Sequence, residues 1–241
     1  MGQSPMFRAE MGFEPQNDWM RYEAGASYNG FPNKKYIKTW GLYQEATQFR
    51  YFDGTLRQNH HLAWGWIQWG GNFRSSFFHR YRFDEVFKNQ HFSNLRTVGA
   101  NLNWKPSQTF NVGLECNAGQ SIAYNEAPLR AGREANVALD FQIQVGGQLR
   151  WNHMLVHSQM HELDGSALIY RGFIYRSGLE WSMSRATELR FVAQWDDFAS
   201  RLLLQPVLTY RPNAFTLVYA GGQYVKGVWQ AYLKGQVALG K

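Results

Sequence analysis

From residue 188 onward the chain alternates apolar and polar residues with a period of two, and this constrains the fold more than any other feature. In residues 188–195 the odd positions Leu189, Phe191, Ala193 and Trp195 are apolar, and Glu188, Arg190 and Gln194 lie between them. In residues 201–210 Leu202, Leu204, Pro206, Leu208 and Tyr210 share the even face, and Phe215, Leu217 and Tyr219 extend the pattern after a turn at Arg211-Pro212-Asn213. The last stretch sets Trp229, Ala231, Leu233, Val237 and Leu239 against Gln230, Lys234 and Gln236. A helix cannot carry this repeat; an extended strand with unlike faces can.

The same repeat runs through the rest of the chain. Phe7, Ala9, Met11 and Phe13 alternate with Arg8, Glu10 and Gly12, and Met20, Tyr22, Ala24, Ala26 and Tyr28 with Arg21, Glu23, Gly25 and Ser27. Asp53-Gly54 is a two-residue hairpin signal. Leu62, Trp64 and Trp66 share one face of the next strand and Asn59, His61 and Gly65 the other. Phe73, Phe77, Tyr81 and Phe83 then oppose Arg74, Arg80 and Arg82, before a longer polar loop over 84–93. Val98 to Trp104, Phe110 to Cys116, Val137 to Ile143, Leu149 to Leu155 and Phe173 to Trp181 continue the pattern. This predicts an all-β fold, a single domain over 1–241, of about fourteen antiparallel strands joined up and down.

Composition narrows what the faces touch. The net charge is +7, but Lys and Arg are scattered singly along strands, so nucleic-acid binding is not expected. Aromatic residues make up 17% of the chain, an excess that fits strands and membrane interfaces. Cys116 is the one cysteine and shares a face with Phe110, Val112 and Leu114, so it reads as a small apolar side chain. No apolar run is long enough for a transmembrane helix. The negative mean hydropathy does not oppose a transmembrane barrel, whose alternating strands average out polar.

Two architectures fit such strands: a transmembrane β-barrel, or a soluble sandwich, barrel or propeller. Three features favour the membrane barrel, alone or as part of a larger one. Connections alternate between short turns and longer polar loops. Phe73, Trp104, Trp181, Trp195, Tyr210 and Trp229 fall at strand ends on the apolar face, as a girdle at the membrane interface does. The opposite face carries isolated charges in nearly every strand, and no helix is in view to cover so much apolar surface. The expected location is the bacterial outer membrane, with outer-membrane lipid as partner. The first residues lack a signal peptide, so this reading expects the chain to be a portion of a longer one.

Trp195-Asp196-Asp197-Phe198, followed by the run 202–216 (LLLQPVLTYRPNAFT), resembles the C-terminal strands of an uncharacterised outer-membrane barrel family of Bacteroidota and related bacteria. Many members of that family carry an N-terminal domain like the family 9 carbohydrate-binding modules. Phe13-Glu14-Pro15 and the run 28–37 (YNGFPNKKYI) resemble an earlier part of the same barrel. The resemblance implies the C-terminal barrel portion of a longer protein and supplies no catalytic residues.

Candidate chemistry is sparse. His153, His157 and His161 are four apart, but on a strand that separation is roughly 13 Å, too far to share a metal. They share parity with Leu149 and Trp151, which sets them on the apolar face. His60 and His61 point to opposite faces. No nucleophile elbow and no phosphate-binding loop occurs, and Asp84-Glu85 and Asp196-Asp197 read as solvated loop charges. No enzyme, metal or cofactor is expected. The polar-face charges Arg74, Arg80, Arg82, Glu115, Asp140, Arg176, Glu180, Glu188 and Arg190 are expected to face a lumen, joined by Arg201, Glu10 and Glu23. There they pair across strands or set the field of a pore. The expected function is passage or uptake of a small polar solute such as a saccharide. The alternatives are a membrane anchor for an N-terminal carbohydrate-binding or hydrolytic domain, and a soluble β-rich carbohydrate-binding module.

Overall fold

The computed structural model describes residues 2–3 and 19–238, so the alternating stretch from Phe7 to Phe13, with Glu10, lies outside the described residues. One antiparallel sheet contains every strand, in chain order. A two-residue β1 (Gly2–Gln3) lies beside thirteen full strands: β2 (Trp19–Gly30), β3 (Ile37–Tyr51), β4 (Leu56–Trp69), β5 (Phe73–Phe87), β6 (Gln90–Trp104), β7 (Phe110–Ile122), β8 (Ala131–Val145), β9 (Leu149–Glu162), β10 (Leu168–Ser182), β11 (Thr187–Asp196), β12 (Arg201–Asn213), β13 (Thr216–Val225) and β14 (Val228–Val237). Each pairs with its neighbours in sequence, an up-and-down meander. No helix and no second sheet occurs among the described residues, and no pairing joins β14 back to the first strands.

The turns differ from expectation in two places. The polar run 84–93 is strand rather than loop: β5 and β6 pair out to Phe87 and Gln90. They are joined by Lys88 and Asn89, both at positive φ (48° and 63°). Two successive left-handed residues make the turn whose twist matches a hairpin, and asparagine tolerates that conformation well. Strand β12 also runs through Arg211-Pro212-Asn213, with a register shift after Tyr210, and turns at Ala214 and Phe215 instead. Pro206 sits inside β12, opposite Phe191 of β11. The ladder toward β13 passes from Leu204–Tyr224 to Val207–Gly221, skipping the residue that has no N–H to give.

Register fixes the faces. Residues paired across strands share a side, so the pairs Arg21–Phe49, Glu23–Thr47 and Gly25–Glu45 carry one face from β2 into β3. Followed across all thirteen strands, that face holds most of the charged and amide side chains, and the other most of the large hydrophobics, although Gln44, Gln48, Arg50, Arg96, Arg133, Gln159 and Arg171 lie on the latter. Two strands depart from the sequence reading. Leu62, Trp64 and Trp66 pair with Glu45, Tyr43 and Gly41, on the polar face. Leu217 and Tyr219 also lie there, Tyr219 paired with Thr209 and Lys234.

The two faces are unequally sheltered. Val98, Leu102, Val137, Leu155, Phe191, Leu202, Leu208, Leu233 and Val237 stand on the apolar face and are all exposed, Leu233 at 77%. On the polar face Glu45, Thr47, Arg82, Leu95, Met160, Val192 and Val207 are buried. A soluble sandwich hides its apolar face between two sheets. Here that face has no covering layer among the described residues.

Candidate functional site

The polar face gathers the charges read from sequence. Arg74, Arg80 and Arg82 of β5 pair with Gln68, Leu62 and His60 of β4. Glu115 and Asp140 occupy β7 and β8, opposite Asn101 and Gly113. Glu180 and Arg190 are direct register partners, as are Ser182 and Glu188, and Arg176 faces Gln194. All nine therefore lie on one side of the sheet.

Only some of them are paired. Arg82 bonds Glu85 at 2.7 Å and donates from its other amino group to the Gln120 carbonyl at 3.2 Å. The Tyr124 hydroxyl donates to Glu85 at 2.6 Å, closing a clamp between β5 and the end of β7. Burial, and then that bond to Glu85, push the Tyr124 phenol up to about 12. Glu180 lies between two register partners, Arg150 and Arg190, and pairs with Arg150 at 3.3 Å. Arg201 reaches Asp196 at 3.6 Å. Arg74 lies over the Trp66 ring at 5.2 Å, and Arg80 is 5.9 Å from the Phe78 centroid. Among the described residues, Arg74, Arg80, Arg176 and Arg190 form no ion pair.

Sequence reading missed a second cluster. Glu45 accepts from Tyr43 at 2.5 Å and from Thr47, and sits 3.3 Å from Arg21, which also holds Glu23 at 2.5 Å. Glu45 is 9% exposed and Thr47 2%. The alternation around Tyr43, Glu45 and Thr47 marks one face, but the partner Arg21 lies in the preceding strand and is visible only through register. This arrangement ties β2 to β3; its acceptor atoms are already engaged.

A third region carries open charges. Arg190, Arg211 and Lys234, with Glu188, Thr209, Tyr219, Tyr232 and Gln236, line an open groove of about 500 Å³ on β11–β14. Arg211 lies in the segment read from sequence as a turn, which hid its place on this face.

The strand-end aromatics share the opposite face. Phe73 pairs with Trp104, Trp181 with Leu189 and Tyr210 with Val218, all toward one rim of the sheet. Trp195 pairs with Tyr175 and Leu202, and Trp229 with Tyr224, toward the other rim. The neighbouring Trp69 and Trp151 give their indole N–H to Ser75 at 2.8 Å and Ser177 at 2.9 Å, so their polar atoms are satisfied without water.

His153, His157 and His161 lie on this face too, paired with Phe141, Val137 and Arg133. His153 is covered by Phe141 and Trp151 and hydrogen-bonds the Tyr175 hydroxyl at 2.7 Å. No group of side chains suited to holding a metal ion occurs among the described residues. No family model, curated protein or solved structure matches this chain.

Proposed function

We propose that this sheet is the wall of a transmembrane β-barrel of the outer-membrane type, curled toward its polar face, which passes a small polar solute. The observation that carries this reading is the exposure of the apolar face. Leu102, Val137, Leu155, Phe191, Leu208 and Leu233 all stand open, with nothing over them among the described residues. A soluble monomer rarely exposes a contiguous apolar patch beyond several hundred Å². Lipid is the solvent that matches such a face, and the aromatic residues toward both rims match its two interfaces. The burial of Glu45, Thr47 and Arg82 on the other side fits a concave, hydrated interior.

Closure follows from strand direction. Strands β2 and β14 are twelve apart in a strict up-and-down order and run the same way. Antiparallel closure therefore takes an odd number of further strands between them, which gives the even total of single-chain bacterial barrels. β1, paired to the start of β2, stands on the side of the sheet where such a strand would lie.

Refolding tests the proposal. In detergent micelles the chain is expected to give a compact species that migrates differently on a gel before and after boiling. In plain buffer it is expected to give none. A folded, monodisperse protein in buffer alone overturns the membrane reading and turns attention to glycan binding. A folded barrel that shows no conductance in a planar bilayer keeps the barrel and favours the anchoring role.

A further inference from the structure

We infer that the groove on β11–β14 is an anion site, so that the solute passed carries a carboxylate or phosphate; this rests on the barrel reading above. The groove has three cations, Arg190, Arg211 and Lys234, against one carboxylate, Glu188. None of the four forms an ion pair or side-chain hydrogen bond among the described residues. Elsewhere on this face Arg74, Arg80 and Arg176 are also without an ion pair among the described residues, but this groove gathers three such cations. Arg21, Arg82, Arg130, Arg150 and Arg201 each have a carboxylate within 3.6 Å. Arg190 has Glu180 as direct register partner, and that carboxylate is taken by Arg150 instead.

The surroundings suit an oxyanion. Glu188, Thr209, Tyr219 and Lys234 form one row across four strands, and Arg190, Val207, Gly221 and Tyr232 form the next. Lys234 on β14 is two strands from Arg211 and three from Arg190, roughly 10–15 Å between backbones, but all three long side chains line the same groove, where each offers a charged donor to an oxyanion. The Thr209, Tyr219 and Tyr232 hydroxyls and the Gln236 amide add neutral donors beside them. Gly221 lets the Tyr232 ring lie against the sheet, since a β-carbon on it would lie 2.7 Å from that ring. The groove is on the face opposite Trp229 and Leu233, so the anion comes from dissolved solute rather than from a lipid headgroup on the outer wall.

The test uses the full chain refolded in lipid-free detergent. Equilibrium dialysis compares inorganic phosphate and glucuronate with glucose, in the wild type and in the triple variant Arg190→Gln, Arg211→Gln, Lys234→Gln. The expected result is binding of both anions over glucose, weakened at least tenfold in the variant and by added salt. Arg211→Gln alone, at an exposed position, gives a second variant if the triple one does not fold. Bilayer reversal potentials under a salt gradient supply the other arm, with anion preference expected in the wild type and loss of it in the variant. Anion binding in micelles without conductance supports the site and overturns passage. Conductance with no anion preference, and no effect of the variants on dialysis, overturns the site and leaves passage standing.

Discussion

His153 stacks on Phe141 with ring centroids 4.4 Å apart and planes 19° from parallel, on the face of the sheet that holds most of the large hydrophobics. An imidazole there needs cover for its faces and a partner for its nitrogen. Phe141 and Trp151 supply the first and the Tyr175 hydroxyl the second, leaving His153 8% exposed. Aromatic pairs contribute about 0.5–1.5 kcal/mol beyond area burial. His153→Ala is therefore expected to cost about 1–3 kcal/mol, from lost stacking and from the unpartnered Tyr175 hydroxyl. His153→Phe keeps the stack and is expected to cost under about 1 kcal/mol. Urea midpoints in micelles check both; equal effects would remove the stack from the explanation.

The Arg82–Glu85–Tyr124 clamp predicts an alkaline dependence. Tyr124 is held as the neutral phenol up to about 12, against 10.0 for an ordinary tyrosine. A folded-state value above the unfolded one means that the contribution is whole below pH 10 and is lost as pH rises from 10 toward 12. Tyr124→Phe is expected to cost about 1 kcal/mol at neutral pH and to lack this particular loss. Urea midpoints at pH 9 and 11 measure the difference between the two proteins. A wild type and a variant that fall by equal amounts would place the clamp outside the stability balance.

Asp53 makes the opposite prediction at the turn between β3 and β4. Its carboxylate accepts from the Thr55 hydroxyl and from the Thr55 N–H at 2.8 Å, and these bonds hold it below the usual aspartate value. A depressed folded value means stability present above the unfolded value of 3.8 and lost as pH falls through the lower folded one. Asp53→Asn is expected to flatten that acid-side loss while leaving neutral-pH stability little changed. Urea midpoints at pH 6 and 3 provide the check, and an acid loss of the same size in the variant would exclude this carboxylate as a source.

Much of the fold is legible in the alternation, because a repeat of two leaves a strand as the only regular choice. What alternation cannot say is which face of one strand joins which face of the next. That depends on register, and a slip of one residue exchanges the faces. Strand β4 shows this. Leu62, Trp64 and Trp66 look like an outer face, yet register sets them beside Glu45 and under Arg74. The other side of β4 has Gly65, covered by Leu42 and Phe77 from its neighbours, so the apolar layer is continuous there without a large side chain of its own. The pairing of Arg82 and Glu85 with Tyr124 joins residues far apart in sequence, and no local pattern marks it. The charged run 84–93 reads as loop by composition, and is strand because its partners are across the ladder.

Close packing on the polar face gives a further prediction. A β-carbon on Gly41 would lie 2.5 Å from both the Trp66 indole nitrogen and the Asn29 amide oxygen. Gly41→Val forces both neighbours to move and is expected to cost about 1–3 kcal/mol. Gly147, with open space around its would-be β-carbon, is the control, and Gly147→Ala is expected to change little. The comparison is made by urea unfolding in micelles, and similar costs at the two glycines would contradict this packing.

A pair of lysine substitutions on β8 separates lipid from water on the two faces. Val137 is in mid-strand on the apolar face and is 43% exposed; Gln142 is on the polar face, paired with Asn111 and Asn152. In water, a lysine at so open a position as Val137 costs little, within about 0.5 kcal/mol for an ordinary surface change. On the lipid face of a barrel the same lysine costs about 2–4 kcal/mol near the bilayer midplane. The expected outcome is therefore a large destabilisation for Val137→Lys in lipid vesicles and a small one for Gln142→Lys. Denaturant midpoints of the two variants in vesicles and in micelles read this directly. A Val137→Lys protein as stable as the wild type in vesicles would mean that this face meets water, and the exposed leucines, valines and aromatics beside it would then need a protein partner rather than lipid.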